Sequence, residues 1–125
     1  MEGPLARHVE KEDQLLINLT QRTVTLLSAK DVVLFRVSPS GKVATCDTSQ
    51  DTFGTVNGIP VGSFSYKNAK GVPEPQKDVV YIVTYAVLQA LNGEREDVVA
   101  PDTSPGFVVR DGQGAIIGVR RFRTL

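Results

Sequence analysis

Arginine is concentrated towards the end of this 125-residue chain. Residues 110–125 carry four arginines and one aspartate, so their local formal charge is 4 − 1 = +3. Guanidinium groups bind phosphate and carboxylate groups through paired, planar hydrogen bonds. We therefore predict an anion-binding pocket built from Arg110, Arg120 and Arg121, with an aromatic ring such as that of Tyr81 as its stacking wall.

An acidic segment offers a competing use for these arginines. Residues 94–102 carry four acidic side chains against Arg95, which gives a local charge of 1 − 4 = −3. The arginines would then form ion pairs with this segment, either within one chain or across the interface of a homo-oligomer. The sequence leaves both interpretations open.

A polar loop is the second candidate for ligand contacts. Thr103 and Ser104 directly follow an apolar stretch, and Pro105 and Gly106 close the loop. Hydroxyls and free backbone N–H groups at the end of a strand are well placed to meet a ligand. The alternative is that the loop is an Asx or Ser/Thr turn that shapes a crossing between two strands.

Catalytic chemistry has little support in the sequence. Cys46 is the single cysteine and His8 the single histidine, too few for a typical zinc site or a paired nucleophile and base. The glycines of residues 112–118 resemble a dinucleotide fingerprint only superficially, because the residues among and after them are β-branched. Carboxylates remain, so a metal-dependent phosphoesterase is the third function considered. No cofactor is predicted.

Charge and hydropathy limit the partners. The chain has 14 basic and 14 acidic side chains, and this balance argues against the uniformly basic surface of a protein that binds duplex nucleic acid. The longest uncharged stretch, residues 79–93, is too short and too polar to span a membrane. No signal peptide is visible, so we expect a cytoplasmic protein without a membrane partner.

Short apolar runs predict the elements that must position these residues. Residues 15–19, 23–27, 32–37 and 42–46 are rich in β-branched side chains and separated by turn residues, which predicts an N-terminal antiparallel meander. Asn57-Gly58 predicts a hairpin, and Pro60 places its second strand at an edge or an irregularity.

The second half of the chain contains the one predicted helix. The continuous apolar run 79–83 is typical of a strand buried on both faces. Thr84 can cap a helix over residues 85–91, and Asn92-Gly93 can end it in the left-handed conformation. A strand at 97–100 follows, and its pairing with 79–83 could be parallel.

A glycine-rich turn marks a C-terminal hairpin. Its arms are residues 107–110 and 115–122, and in a continuous second arm Arg121 and Arg123 would share one face. The predicted fold class is α+β: a mainly antiparallel β-sheet or small barrel of about seven to nine short strands with one short helix near 85–92. Residues 1–13 are predicted to be a flexible leader and residues 14–125 a single domain.

Several motifs occur in the order found in one family. They are NLT (18–20), SPSGKVA (38–44), GTVNGIPV (54–61), GVPEPQKDVVYIVTYAVLQAL (71–91), REDVVAPDTSPG (95–106) and VRDGQGAIIGVRRF (109–122). Over residues 17–123 the chain resembles a family of small proteins from phages, prophages and bacterial genomes, whose typical members begin N-L-T-P-H and close V-R-D-x-x-G-x-I-x-G-x-R. Gln21-Arg22 stands where the family has Pro-His, which puts any role of that histidine in question for this chain.

The resemblance implies an origin and a mode of action. It implies a viral or prophage accessory protein that acts in the host cytoplasm by binding, either capturing a host signalling molecule or blocking a host protein. Together with the arginines it favours a non-enzymatic binder of an anionic, nucleotide-like small molecule. The alternative is a protein–protein interaction module or virion-associated structural protein that uses its edge strands and the apolar segment 58–64.

Overall fold

Two four-stranded sheets and a long two-stranded ribbon make up residues 14–125, the part of the chain that the computed structural model describes. The predicted leader, residues 1–13, lies outside the described residues. The strands are β1 (Leu15–Asn18), β2 (Val24–Leu27), β3 (Val33–Val37), β4 (Thr45–Val56), β5 (Ile59–Lys70), β6 (Val79–Ile82), β7 (Val98–Pro101), β8 (Val108–Arg110), β9 (Ile116–Val119) and β10 (Phe122–Arg123), and the helix is α1 (Tyr85–Leu91). The predicted α+β class with one short helix is confirmed, with open sheets rather than a small barrel.

The first sheet has the order β1-β6-β7-β10, and its first three strands are parallel. Every residue of β6 is buried, as the continuous apolar run predicts. Its side chains alternate between two cores. Val79 and Tyr81 belong to the core that includes the helix, whereas Val80 and Ile82 belong to the core shared with the second sheet. The first sheet is therefore the middle layer of the fold.

Helix α1 connects β6 to β7 as a parallel crossover. The Thr84 hydroxyl accepts a hydrogen bond from the Val87 N–H at 3.4 Å, and Asn92 adopts the left-handed conformation with φ 52°. The predicted helix and both of its predicted ends are confirmed. Within the described residues no helix has the length and apolar character that crossing a membrane requires.

The second sheet has the order β3-β2-β9-β8. β2 and β3 pair antiparallel as predicted, but β1 pairs in parallel with β6 instead of continuing into β2. The predicted N-terminal meander is therefore wrong beyond that one hairpin. After β1 the chain turns out of the first sheet at residues 18–22 and enters the second. The predicted strand 42–46 is also wrong in its start, because β4 begins only at Thr45.

The C-terminal hairpin forms between β8 and β9, as predicted. Its second arm does not continue through 122, because the chain leaves the second sheet after Val119 and joins the first sheet at Phe122, opposite Pro101. Arg120 and Arg121 lie in this crossing. The expected division of the arginines between two faces of one strand is therefore wrong.

The ribbon of β4 and β5 is the longest element. Asn57 and Gly58 form its turn with positive φ values of 50° and 79°, so the predicted hairpin is confirmed. Both arms have 12 residues, and a bulge at Phe53 interrupts the pairing. Cys46 and Ala69 anchor the base of the ribbon against the helix-side core, whereas residues 50–65 are exposed.

We expect the Gly118→Ala variant to be less stable than the wild-type protein. A Cβ at this position would lie 2.7 Å from the Thr25 carbonyl oxygen and would also meet the Leu27 side chain, so β2 and β9 would have to move apart. The cost in free energy of unfolding should be about 1–3 kcal/mol, as for other overpacked sites. Urea denaturation measures it.

Gly112→Ala is the matched control. Its added Cβ would have no heavy atom within 4 Å, so this variant should unfold at the wild-type urea concentration. Equal stability of the two variants would contradict the close approach of β2 and β9.

Candidate functional site

A cavity of about 550 Å³ opens where the three parallel strands of the first sheet end. Thr20 follows β1, Thr84 follows β6 and Thr103 follows β7, and all three line the cavity. The carboxyl ends of parallel strands meet at one edge of a sheet, and ligands of α/β proteins bind at that edge. The opposite wall comes from β2 and β9 of the second sheet.

The lining is mostly aliphatic, with a small set of polar groups. Its polar side chains are one guanidinium, one amide, one phenol and five hydroxyls, and its apolar residues are mainly valine and isoleucine. The residues are Thr20, Gln21, Arg22, Thr23, Val24, Thr25, Val43, Thr84, Tyr85, Pro101, Thr103, Ile116, Ile117, Gly118 and Val119. An apolar pocket with a few convergent polar groups is the usual form of a small-molecule site.

The turn that carries Thr20 and Arg22 is built on Asn18. The Asn18 amide is buried and donates to the carbonyl oxygens of Arg22 at 2.7 Å and Val37 at 2.9 Å. Its side-chain oxygen accepts from the backbone N–H and the hydroxyl of Thr20, at 2.9 and 2.7 Å. Both donors and both lone pairs of the amide are thereby used. This fixes the turn and presents the side chains of residues 21–23 to the cavity.

Tyr85 supplies the aromatic surface at the cavity. It is the first residue of α1 and is 39% exposed. The guanidinium of Arg123 lies 4.2 Å from the centroid of its ring, a cation–π contact that holds the ring in place. Tyr85 and the neighbouring Thr84 both line the cavity, as do residues 20–23.

The structure does not bring the three predicted arginines into one pocket. Arg110 is exposed and donates to the Gly114 carbonyl oxygen within its own hairpin turn, at 2.7 Å. Arg120 forms an ion pair with Asp31, with 2.6 Å between Nη2 and Oδ1. None of the three lines the 550 Å³ cavity.

Arg121 instead pairs with the acidic segment. Its Nε lies 2.7 Å from Oδ2 of Asp102, and its guanidinium lies 3.6 Å from the centroid of the Phe107 ring. Within that segment Arg95 also binds Asp97, at 2.8 Å. Pairing with the acidic segment, the alternative use of the arginines, is therefore found for Arg121. Arg120 has its partner outside that segment.

The two predicted residues of the polar loop lie in different surroundings. Thr103 lines the cavity, whereas Ser104 turns back to Asp102, donating its N–H at 2.9 Å and its hydroxyl at 2.5 Å to Oδ1. This is the Asx turn that the sequence offered as the alternative. Tyr81 is 1% exposed and its hydroxyl donates to the Glu74 carbonyl oxygen at 3.2 Å, so its ring packs in the helix-side core and does not line the 550 Å³ cavity.

The Asp102 carboxylate is almost fully buried and kept ionised. The hydroxyl and N–H of Ser104, together with Arg121, lower the pKa of this carboxyl from 3.8 to about 2, although burial opposes the shift. Its role is to hold the loop after β7 and the crossing that leads to β10, since the Asp102 N–H also donates to the Arg121 carbonyl oxygen at 3.0 Å.

Sequence reasoning missed Thr20, Arg22 and Tyr85 as cavity residues. A signal was present: each of three apolar runs is followed within two residues by a threonine, in LLINLT, VVYIVT and VVAPDT. That repetition indicates a shared edge only once the three strands are known to be parallel neighbours.

Across residues 14–125 no group of three or more His, Cys, Asp or Glu side chains is placed to hold a metal ion. No protein-family model, curated protein or solved structure matches this chain.

The Asn18→Ala variant should lose about 2–4 kcal/mol of unfolding free energy, because it removes the four hydrogen bonds that the buried amide makes with Thr20, Arg22 and Val37. Thermal or urea unfolding checks this loss. The neighbouring Gln21→Ala variant removes an exposed side chain and should stay within about 0.5 kcal/mol of wild type. An Asn18→Ala protein as stable as Gln21→Ala would contradict the role given to the amide.

The contribution of the Asp102 carboxylate to the free energy of unfolding should vanish in acid. Its pKa is depressed in the folded protein, so its stabilising effect is present above an unfolded-state pKa of about 3.9 and is lost as the pH falls towards 2. The difference in unfolding free energy between wild type and Asp102→Asn should therefore shrink steadily from pH 5 to about pH 2. A difference that stays constant over this range would contradict the ion pair and the Ser104 hydrogen bonds as its source.

Proposed function

We propose that this protein is a non-enzymatic binder of an anionic, nucleotide-like small molecule, and that the ligand occupies the cavity at the carboxyl ends of β1, β6 and β7. The observation that carries the proposal is the composition of the cavity, whose lining combines one guanidinium and five hydroxyls with aliphatic and aromatic surface. A nucleotide has the matching combination of an anionic phosphate and a planar, largely apolar base.

The polar groups of the cavity suit an oxyanion. Arg22 is the one charged residue among those that line the cavity, so their formal charge is +1. Within residues 14–125 the Arg22 guanidinium has neither an ion pair nor a side-chain hydrogen bond, because only its backbone groups take part in the Asn18 turn. The Thr84 hydroxyl accepts from Val87 and keeps its own proton for a ligand.

The apolar groups of the cavity suit a planar ring. Tyr85, Ile116 and Ile117 present exposed apolar surface to the cavity. The volume of about 550 Å³ falls within the range of about 300–1,000 Å³ that holds drug-sized and cofactor-sized ligands. Hydroxyl, amide and guanidinium groups bind such a ligand without transferring protons near neutral pH, which favours capture over turnover.

The family resemblance supports the same proposed function. A phage or prophage accessory protein in the host cytoplasm could remove a host signalling nucleotide by stoichiometric binding, and the ligand would then be recovered unchanged. The resemblance itself supplies origin and not activity, so the cavity remains the physical basis of the proposal.

Isothermal titration of the full chain with a panel of nucleoside monophosphates, triphosphates and cyclic oligonucleotides tests the proposal. We expect stoichiometric binding of at least one of them. The Arg22→Gln variant should bind this ligand about 10–100-fold more weakly, because it loses one charge-assisted hydrogen bond. Its unfolding should match that of the wild type.

Arg110→Gln is the matched control for this titration, because Arg110 is an exposed arginine outside the cavity. It should bind the ligand as tightly as wild type. No heat with any member of the panel, or equal loss in both variants, would contradict the proposed site.

An interaction with a host protein or a virion component is the second candidate function. The exposed ribbon of β4 and β5 favours it, because residues 50–65 project without burial and carry several large apolar side chains. This surface lies on elements that take no part in lining the cavity.

A further inference from the structure

A second, smaller cavity adjoins the loop that follows β7. Its volume is about 270 Å³, and its lining is polar apart from one aromatic ring: Asp102, Ser104, Arg121, Phe122, Arg123 and Thr124. Residues 101 and 103 line the 550 Å³ cavity, whereas residues 102 and 104 line the smaller one. Consecutive residues of one loop thus serve the two cavities in turn, so the cavities are neighbours with this loop between them.

One of the two arginines in the smaller cavity already has its counter-ion. The Nε of Arg121 lies 2.7 Å from Oδ2 of Asp102, and the other carboxylate oxygen accepts from the N–H and the hydroxyl of Ser104. Asp102 is thereby committed to Arg121 and Ser104. With two arginines and one aspartate, the lining has a formal charge of 2 − 1 = +1, and the charge left over is that of Arg123.

Arg123 stands at the boundary of the two cavities. Its guanidinium lies 4.2 Å from the centroid of the Tyr85 ring, and Tyr85 lines the 550 Å³ cavity. Its Nε donates to the Thr124 carbonyl oxygen at 3.4 Å. Within residues 14–125 its two Nη groups donate no hydrogen bond, and no carboxylate lies within ion-pair distance. A guanidinium that rests on an aromatic face keeps its N–H groups, which lie in its own plane, available to an acceptor at its edge.

We infer that the ligand carries two separate phosphate groups, and that the second one binds Arg123. This inference rests on the proposed function, in which the base and the first phosphate occupy the 550 Å³ cavity with Arg22. Each cavity has a lining charge of +1 supplied by one arginine without a counter-ion. A ligand with one phosphate at each arginine gives both cations a partner, and each contact is a charge-assisted hydrogen bond. Nucleoside bisphosphates and cyclic dinucleotides belong to this class.

Isothermal titration of the full chain with matched pairs of ligands tests the inference. For each of the four common bases, the nucleoside 5′-monophosphate is compared with the 3′,5′-bisphosphate, which differs only in the second phosphate. For a base that the protein binds, the bisphosphate should bind about 10–100-fold more tightly, the gain expected from one added charge-assisted hydrogen bond.

Arg123→Gln assigns that gain to a residue. Loss of the contact with Tyr85 should weaken both ligands alike, whereas loss of the second phosphate contact removes the preference for the bisphosphate. The ratio of the two dissociation constants should therefore fall to about 1 in Arg123→Gln. Arg110→Gln is the matched control, because Arg110 is an exposed arginine outside both cavities, and it should keep the wild-type ratio.

The outcomes separate this inference from the proposed function. Binding of monophosphates with no gain for any bisphosphate would overturn the inference and leave the proposed function standing. A ratio that survives in Arg123→Gln, or that falls equally in Arg110→Gln, would also overturn the inference alone. Absence of binding by every mono- and bisphosphate would overturn both.

Discussion

The parallel pairing of β6 with β1 and β7 is the constraint on which the site depends. β6 has no exposed residue, and its side chains alternate between the helix-side core and the core shared with the second sheet. A strand buried on both faces admits one position and one register, because a slip by one residue would exchange the two sets of side chains. Its neighbours β1 and β7 run in the same direction, so three chain segments must leave the sheet at the same edge. The threonines that follow these strands meet there for that reason.

The departure of the chain from that edge shapes the cavity. After β1 the chain crosses to the second sheet through the turn that Asn18 holds, and after β7 it passes through the loop that Asp102 holds. Both are buried polar side chains with several hydrogen bonds. The Asn18 amide binds Thr20, Arg22 and Val37, and the Asp102 carboxylate accepts from the hydroxyl and N–H of Ser104 and from Arg121. Both crossings contribute to the cavity, Arg22 from the first and Thr103 from the second. Beside it Gly118 lets β2 and β9 approach closely.

Local signals in the sequence predicted the helix and the turns. They did not predict which strands pair with each other across long stretches of the chain. The Asn57-Gly58 turn and the helix between Thr84 and Asn92 depend on neighbouring residues, and both were predicted correctly. The partner of β1 lies more than 60 positions away in β6, and no pattern within residues 15–18 distinguishes a parallel from an antiparallel neighbour. The arginines were predicted as a cluster because they are close in sequence. The crossing between β9 and β10 separates them, and the sequence 115–122 carries no turn residue other than Gly118 to announce that break.

We propose that an anion binds at the shared edge of β1, β6 and β7 and not at the arginines of the C-terminal hairpin. This proposal can be tested by following the backbone amide chemical shifts of the isotope-labelled protein during a titration with a nucleoside monophosphate. We expect the largest changes at residues 20–23, 84–85 and 103. Changes centred on residues 110–114 and 120–121, with the edge of the first sheet unaffected, would contradict it.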